Sequence, residues 1–391
     1  MPRFLTAALL PVLLLAACGG QPTGGAPTAT PGAVATAAPA ATSAPAVATP
    51  APAPTSAAGP TAEPAPGSQR LVVMTHDSFN VSQQVLEAFM QQEGITVEIL
   101  KSGDAGSALN KAILSKDNPL ADVFFGVDNT FLSRALQADI FEPYQAAALK
   151  EIPEQFKLDP SNRLLPIDYG YVTINYDKAY LAQNNLPVPQ KLEDLTRPEW
   201  KGRLVVENPA TSSPGLAFLL ATVGYFGTEG NYTWLDYWKD LRANDVLVSE
   251  GWEEAYYTHF SGSSGKGPRP LVVSYTTSPA AEVYFSEGKL DEPPTGNLPA
   301  GSFLQVEFAG VLKGTKQRVL AERFIDFMLS KPFQEDIPLQ MFVYPVLPSA
   351  RLPDVFERFA PIPEQPITVP PEQIDRNRER WIDEWTRTVL R

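Results

Sequence analysis

The order of apolar and polar positions divides the chain into short, wholly apolar runs and longer amphipathic ones. Leu71-Val72-Val73-Met74-Thr75 is a continuous apolar run, the pattern of a strand buried on both faces. Ser82–Glu93 then places Val85, Leu86, Phe89 and Met90 on one helical face, with Gly94 as the stop. Val97–Leu100 predicts a second strand, followed by a helix carrying Leu109, Ala112 and Ile113. Asp122–Val127 predicts a third buried strand, and Phe131–Ala138 another helix. Strands alternating with helices signal an α/β class, a parallel sheet with helices on its faces.

Further along, Val172–Asn175, Arg203–Glu207, Pro270–Val273 and Leu304–Gly310 read as strands. Thr233–Leu241 reads as a helix whose Trp234, Tyr237, Trp238 and Leu241 belong to a core. Another helix is expected from Ser249 onward, one at Gln317–Leu329, and a last one with Ile374, Trp381, Trp385 and Val389 on one stripe. The aromatic-glycine alternation of Pro166–Tyr171 suits a segment crossing between lobes. The glycine- and serine-rich stretch His259–Pro270 predicts a mobile loop. There is no internal repeat.

In open sheets of this kind ligands bind at the carboxyl ends of the strands, so the polar residues there are the candidates. His76 and Asp77 follow the first strand, Asp104 the second and Asp128 the third. One such acid usually forms a turn or caps a helix; three on one edge suggest a cleft wall of negative potential. Later, Thr211, Ser212 and Ser213 stand before Pro214 and Gly215, and an apolar run follows. Ser213 is expected as the helix N-cap and Pro214 as the first helical residue. Hydroxyls and unpaired first-turn amides together suit a phosphate or carboxylate, although a plain capped helix carries the same signature. Ser274–Pro279 is a second hydroxyl-rich strand-to-helix junction.

Composition narrows the picture at the amino end. Met1–Ala17 reads as a secretory signal, ending in L-A-A-C-G, which resembles the bacterial lipobox with Cys18 as the lipidated residue. Cys18 is the one cysteine among 391 residues, which excludes an intrachain disulfide and a thiolate metal cluster. Residues 18–69, mostly Ala, Pro, Thr, Gly, Ser and Val, bury too little apolar surface to fold and predict a disordered tether. The remainder is too long for one typical core, so two lobes are expected. A formal charge of −13 argues against a nucleic-acid partner and is compatible with a cationic ligand.

Catalytic chemistry finds little support. There are two histidines, His76 and His259, no G-x-S-x-G around Ser212 or Ser278, no grouped zinc ligands and no Walker lysine. A binding protein without a cofactor or metal fits better than an enzyme; a serine hydrolase using Ser212 or Ser278 is the alternative from another class.

A set of motifs then carries a resemblance. H-D-S-F (76–79), D-A-G-S-A-L-N (104–110), A-D-V-F-F-G-V-D-N (121–129), D-Y-G-Y (168–171) and N-P-A-T-S-S-P-G (208–215) come first. G-W-E-E-A-Y (251–256), S-Y-T-T-S-P-A (274–280), L-Q-V-E (304–307), V-Y-P-V (343–346) and W-I-D-E-W (381–385) follow. In this order they resemble the thiamine-binding periplasmic proteins, the solute-binding components of bacterial ABC importers, over nearly all of residues 70–391. The resemblance implies a two-lobe periplasmic-binding-protein fold (type II-like), with a ligand cleft between residues 70–168 plus 305–391 and residues 172–300. It implies a monomer that passes thiamine, thiamine monophosphate or thiamine diphosphate to a permease at the outer face of the membrane.

By the same resemblance Thr211, Ser212, Ser213 and Gly215 would hold a phosphate, and Trp252 and Tyr275 would pack on the ligand rings. Asp104 would face the cation or the aminopyrimidine. His76, Asp77, Gly106, Asp128, Tyr256, Thr276, Ser278, Phe342 and Tyr344 complete the expected binding set. His76 stands where the family has tyrosine and Phe342 where it has tryptophan, and the segment after Phe79 is shorter and lacks an expected tryptophan. Another cation, such as a polyamine or ferric iron, is the alternative ligand within the same class.

Overall fold

The computed structural model describes residues 69–262 and 267–391. The expected signal, Cys18, the tether up to residue 68 and part of the glycine-rich loop lie outside the described residues.

Eleven strands form one mixed sheet. They are β1 (Gln69–Thr75), β2 (Ile95–Lys101), β3 (Val123–Asp128), β4 (Phe141–Glu142), β5 (Leu165–Asp177) and β6 (Leu204–Glu207). The rest are β7 (Leu247–Ser249), β8 (Leu271–Tyr275), β9 (Thr295–Asn297), β10 (Phe303–Leu312) and β11 (Tyr344–Pro345). The main path runs β2-β1-β3-β10-β5-β8-β6-β7. β1 pairs parallel with β2 and β3, and β6 pairs parallel with β7 and β8. Between these two parallel groups stand β10 and β5, antiparallel to each other and to their neighbours.

β5 makes the crossing expected of Pro166–Tyr171. Its first half pairs with β10, from Leu165↔Ala309 to Val172↔Phe303, and its second half with β8, from Val172↔Tyr275 to Tyr176↔Leu271. It is buried along almost its whole length. The apolar runs read from the sequence become strands for the same reason: Leu71, Val73 and Met74 in β1, and every residue of β3, are removed from water.

Helices cover the sheet. Ser82 caps the helix Gln83–Glu93, accepting from Val85 N, and Gly94 ends it in the left-handed conformation at φ 64°. The stripe Ile374, Trp381, Trp385, Val389 of the last helix, Pro371–Val389, is buried, with Trp385 edge-on to Trp238 at 5.5 Å.

Three local expectations are corrected. The helix after the hydroxyl run is Ser213–Phe226, so its N-cap is Ser212 and Pro214 is its second residue. The helix expected from Ser249 begins at Trp252, because Ser249 closes the short strand β7, and a wider turn continues it through Ala255–His259. Met341 ends a helix, Lys331–Met341, that tolerates Pro338 in its interior. Among the described residues, no helix is long and apolar enough to cross a membrane.

Candidate functional site

The carboxyl ends of the two parallel groups meet each other. Asp104 is the N-cap of the helix Ala105–Leu114: one oxygen accepts from Ala105 N at 2.7 Å. Its other oxygen accepts from the backbone N of Trp252 at 3.0 Å, which joins the β2 end to the β7 end. Ser107 N donates to Thr211 O at 3.2 Å, and Ser213 Oγ donates to Asp128 Oδ2. Gly106 lies against this seam; a Cβ there would stand 2.8 Å from the Phe131 ring and from Thr211 O. The structure is therefore closed across the cleft, by hydrogen bonds that need the residues at these positions.

Asp77 has a local job. Its Oδ1 accepts from Gly103 N at 2.8 Å and shapes the loop after β2. His76 turns inward, with Nε2 3.4 Å from Glu307 Oε1 and its ring 5.4 Å from Phe125. Gly126, at φ 107°, makes room for it, since a Cβ would stand 2.6 Å from the imidazole.

Glu307 is directly opposite Asp128 on β3 and Asp168 on β5, so three acids form a row across the sheet. All three are buried. Burial pushes Asp128 up to about 6, against the lowering effect of its hydrogen bonds from Ser213 and Thr130. Asp168 is raised well above the usual range by burial and by the charge of Glu307. Glu307 is lowered: burial opposes ionisation, but the His76 charge and the hydrogen bonds from His76 and Asp168 outweigh it. The arrangement is an imidazole, an ionised Glu307 and a protonated Asp168 in sequence. Glu207, at the end of β6, is raised well above the usual range by burial and then by Asp104.

An aromatic wall closes the same region. Trp252 stacks on Tyr256 at 5.1 Å and 22°, lies 6.3 Å from Tyr275, and donates Nε1–H to Ser274 Oγ at 2.8 Å. Ser274 Oγ is 2.9 Å from Ser278 Oγ, which also accepts from Tyr275 N. Tyr256 donates its hydroxyl to Glu282 and Tyr275 pairs with Gln305 at 3.3 Å. Gly170 leaves open the space beside the Tyr275 ring. Half-buried Trp252 and Tyr275, beside Asp104 and Glu307, offer π faces next to negative charge, an arrangement that suits a flat organic cation.

Phe342 and Tyr344 belong to a second aromatic cluster. Tyr344 stacks on Tyr169 at 5.2 Å and donates to Ala360 O, while Phe342, at φ 57°, stacks on Phe356 at 5.9 Å. Their ring contacts among the described residues run to Tyr169, Tyr171, Tyr284, Phe285 and Phe356 rather than to Trp252 or Tyr275. Buried Thr276 ties its amide to Tyr171 O at 2.9 Å, beside that cluster. Of the hydroxyl turn, Thr211 Oγ1 donates to Glu250 O at 2.7 Å, and Ser212 Oγ is fully buried. A Cβ on Gly215 would stand 2.6 Å from Glu207 O, so the helix lies directly against the end of β6.

Comparison with known proteins fixes the family. Residues 118–365 match the model for bacterial extracellular solute-binding proteins. The chain belongs to that family. Among solute-binding proteins it is 36% identical to the thiamine-binding periplasmic protein of Salmonella typhimurium, over 84% of this chain and 96% of that relative. It is 34% identical to the protein of the same name from Escherichia coli, over 82% and 94%. A solved periplasmic thiamin binding protein superposes with a TM-score of 0.72 at 31% identity, covering 83% of this chain and 97% of that one. The two-lobe α/β architecture of the solute-binding fold, with its cleft at the facing carboxyl edges, is thereby established. Members of the family bind solutes for transport and catalyse no reaction.

Glu207, Asp168 and Glu307 were not expected as site residues. Their signal was present: each is a charged position inside a strand that is otherwise wholly buried. A lone acid in such a run has no solvated face to occupy.

Proposed function

We propose that this solute-binding protein captures thiamine outside the cytoplasmic membrane and delivers it to an ABC importer. One observation carries the reading at residue level: half-buried Trp252 and Tyr275 stand beside the carboxylates of Asp104 and Glu307 where the two lobes close. Thiamine is a flat, permanently charged ring system, and both parts of that site answer to it. The similarity to thiamine-binding proteins over most of both chains supports the same ligand. Ligand closes the lobes by adding contacts to each, with residues 70–168 and 305–391 on one side and 172–300 on the other. Calorimetric titration of the purified protein with thiamine and with spermidine tests this. Saturable thiamine binding and no spermidine binding is the expected result; the reverse removes the proposal.

The sequence L-A-A-C-G supports lipidation at Cys18, which would keep the protein at the membrane. Cys18→Ser should release it into the soluble fraction with thiamine affinity unchanged. Wild-type protein recovered without lipid would remove the anchor and leave the binding function standing.

A further inference from the structure

The hydroxyl turn Thr211–Gly215 opens a helix, and a helix N-terminus ordinarily favours an anion. Here the donors are already spoken for. Thr211 Oγ1 donates to Glu250 O, Ser213 Oγ to Asp128, and Leu216 N to Ser212 O. Pro214 has no N–H to give. Ser212 Oγ is fully buried and, among the described residues, has no hydrogen-bond partner.

What surrounds the turn is acidic. Asp104 is near enough to Ser212 and to Glu207 to influence the proton affinity of both carboxyls, and Asp128 holds Ser213. Glu207 is 1% exposed, packs against Gly215, and neither of its carboxyl oxygens has a hydrogen-bond partner among the described residues. No lysine or arginine among the described residues makes an ion pair with Asp104, Asp128 or Glu207. The arginine whose charge reaches Asp128, Arg378, lies over the Phe131 ring at 4.5 Å and pairs with Glu379.

A phosphate at this turn would meet three carboxyl groups and no cation. An ionised carboxyl repels it. A protonated one can donate a hydrogen bond but supplies no positive charge, so a buried dianion stays uncompensated. The cationic rings of the ligand gain from the same acids.

We propose that Glu207 is a specificity-determining residue that makes the cleft select thiamine over its phosphate esters. The proposal rests on thiamine being the ligand. Thiamine, thiamine monophosphate and thiamine diphosphate are titrated separately into wild-type protein and Glu207→Gln at neutral pH. Wild type should bind the diphosphate at least tenfold more weakly than thiamine, and Glu207→Gln should narrow that ratio at least threefold. Equal affinities in wild type, or an unchanged ratio in a folded Glu207→Gln variant, overturn the proposal. Should that variant fail to fold, Ser212→Ala decides: a loss confined to the two esters places phosphate at the turn and overturns the proposal, whereas equal losses for all three ligands support it. Wild-type protein that binds none of the three refutes the thiamine reading instead.

Discussion

Trp252 has two duties that a substitution can separate. Its backbone N holds Asp104 across the cleft, and its ring presents a face beside Tyr275. Trp252→Ala keeps the first and removes the second, so thiamine affinity should fall by up to about 2 kcal/mol, near 30-fold, while Trp252→Phe loses less. Titration beside thermal unfolding checks this; lowered melting temperature with unchanged affinity would make the ring a packing element only. His76 tests the charge relay. Burial alone lowers its pKa, but the charge and hydrogen bond of Glu307, with Asp104 and Asp77 behind it, leave it raised above 6.5. A raised folded pKa means that the folded state holds the proton more tightly. Its stabilisation is therefore complete below the unfolded value and is lost as pH rises through the folded one. The stability difference between wild type and His76→Gln should accordingly shrink as pH is raised from about 6 to about 9. Urea unfolding across that range measures it, and a difference that grows with pH contradicts the pairing with Glu307.

Among the elements, the helix Ser213–Phe226 shows why some of the architecture was legible and some was not. Its apolar composition announced a helix buried all round, and residues Ser213 through Val223 are buried without a break. The hydroxyls before it announced a polar site, because short polar side chains beside free amides leave few other uses. Their partners were not legible: Asp128 and Glu250 are far away in sequence, and only the fold brings them to Ser213 and Thr211. The short strand β7 was missed for a similar reason, since three residues carry no periodicity and pair only because Val205–Glu207 offers an edge. The helix Ala105–Leu114 gives a prediction at this scale. Gly106 lies where it meets the opposite lobe, and a Cβ would press on backbone oxygens of Ala210 and Thr211 as well as on Phe131. Gly106→Ala should hold the lobes apart and weaken thiamine at least tenfold. Phe131 can shift once the lobes part, so thermal stability without ligand should change little. Small-angle scattering should show the variant staying open in thiamine concentrations that close the wild type.

Across the whole molecule, the strands that join the lobes also carry the charge. β5 and β10 lie between the two parallel groups, so opening and closing must deform them. Asp168 and Glu307 stand opposite each other on exactly those strands, with Asp128 beyond and His76 against Glu307. The long crossing strand was legible from Pro166–Tyr171, but this row was not, because register across three strands separated by more than a hundred residues leaves no local trace. Its consequence is a coupling between ligand charge and lobe closure. In the closed cleft a thiazolium about 7 Å from an ionised Glu307, at an effective dielectric near 20, gains about 2 kcal/mol; in the open, water-filled cleft the gain nearly vanishes. The charge of Glu307 thus favours the closed liganded state over the open one. Glu307→Gln should weaken thiamine by roughly 30-fold and slow neither its association nor the docking of its rings, so the loss should appear as faster dissociation. A neutral analogue that keeps the two rings should lose far less. Stopped-flow fluorescence of Trp252 follows both rates, and an effect confined to association would show that Glu307 steers the ligand inward without holding the lobes shut.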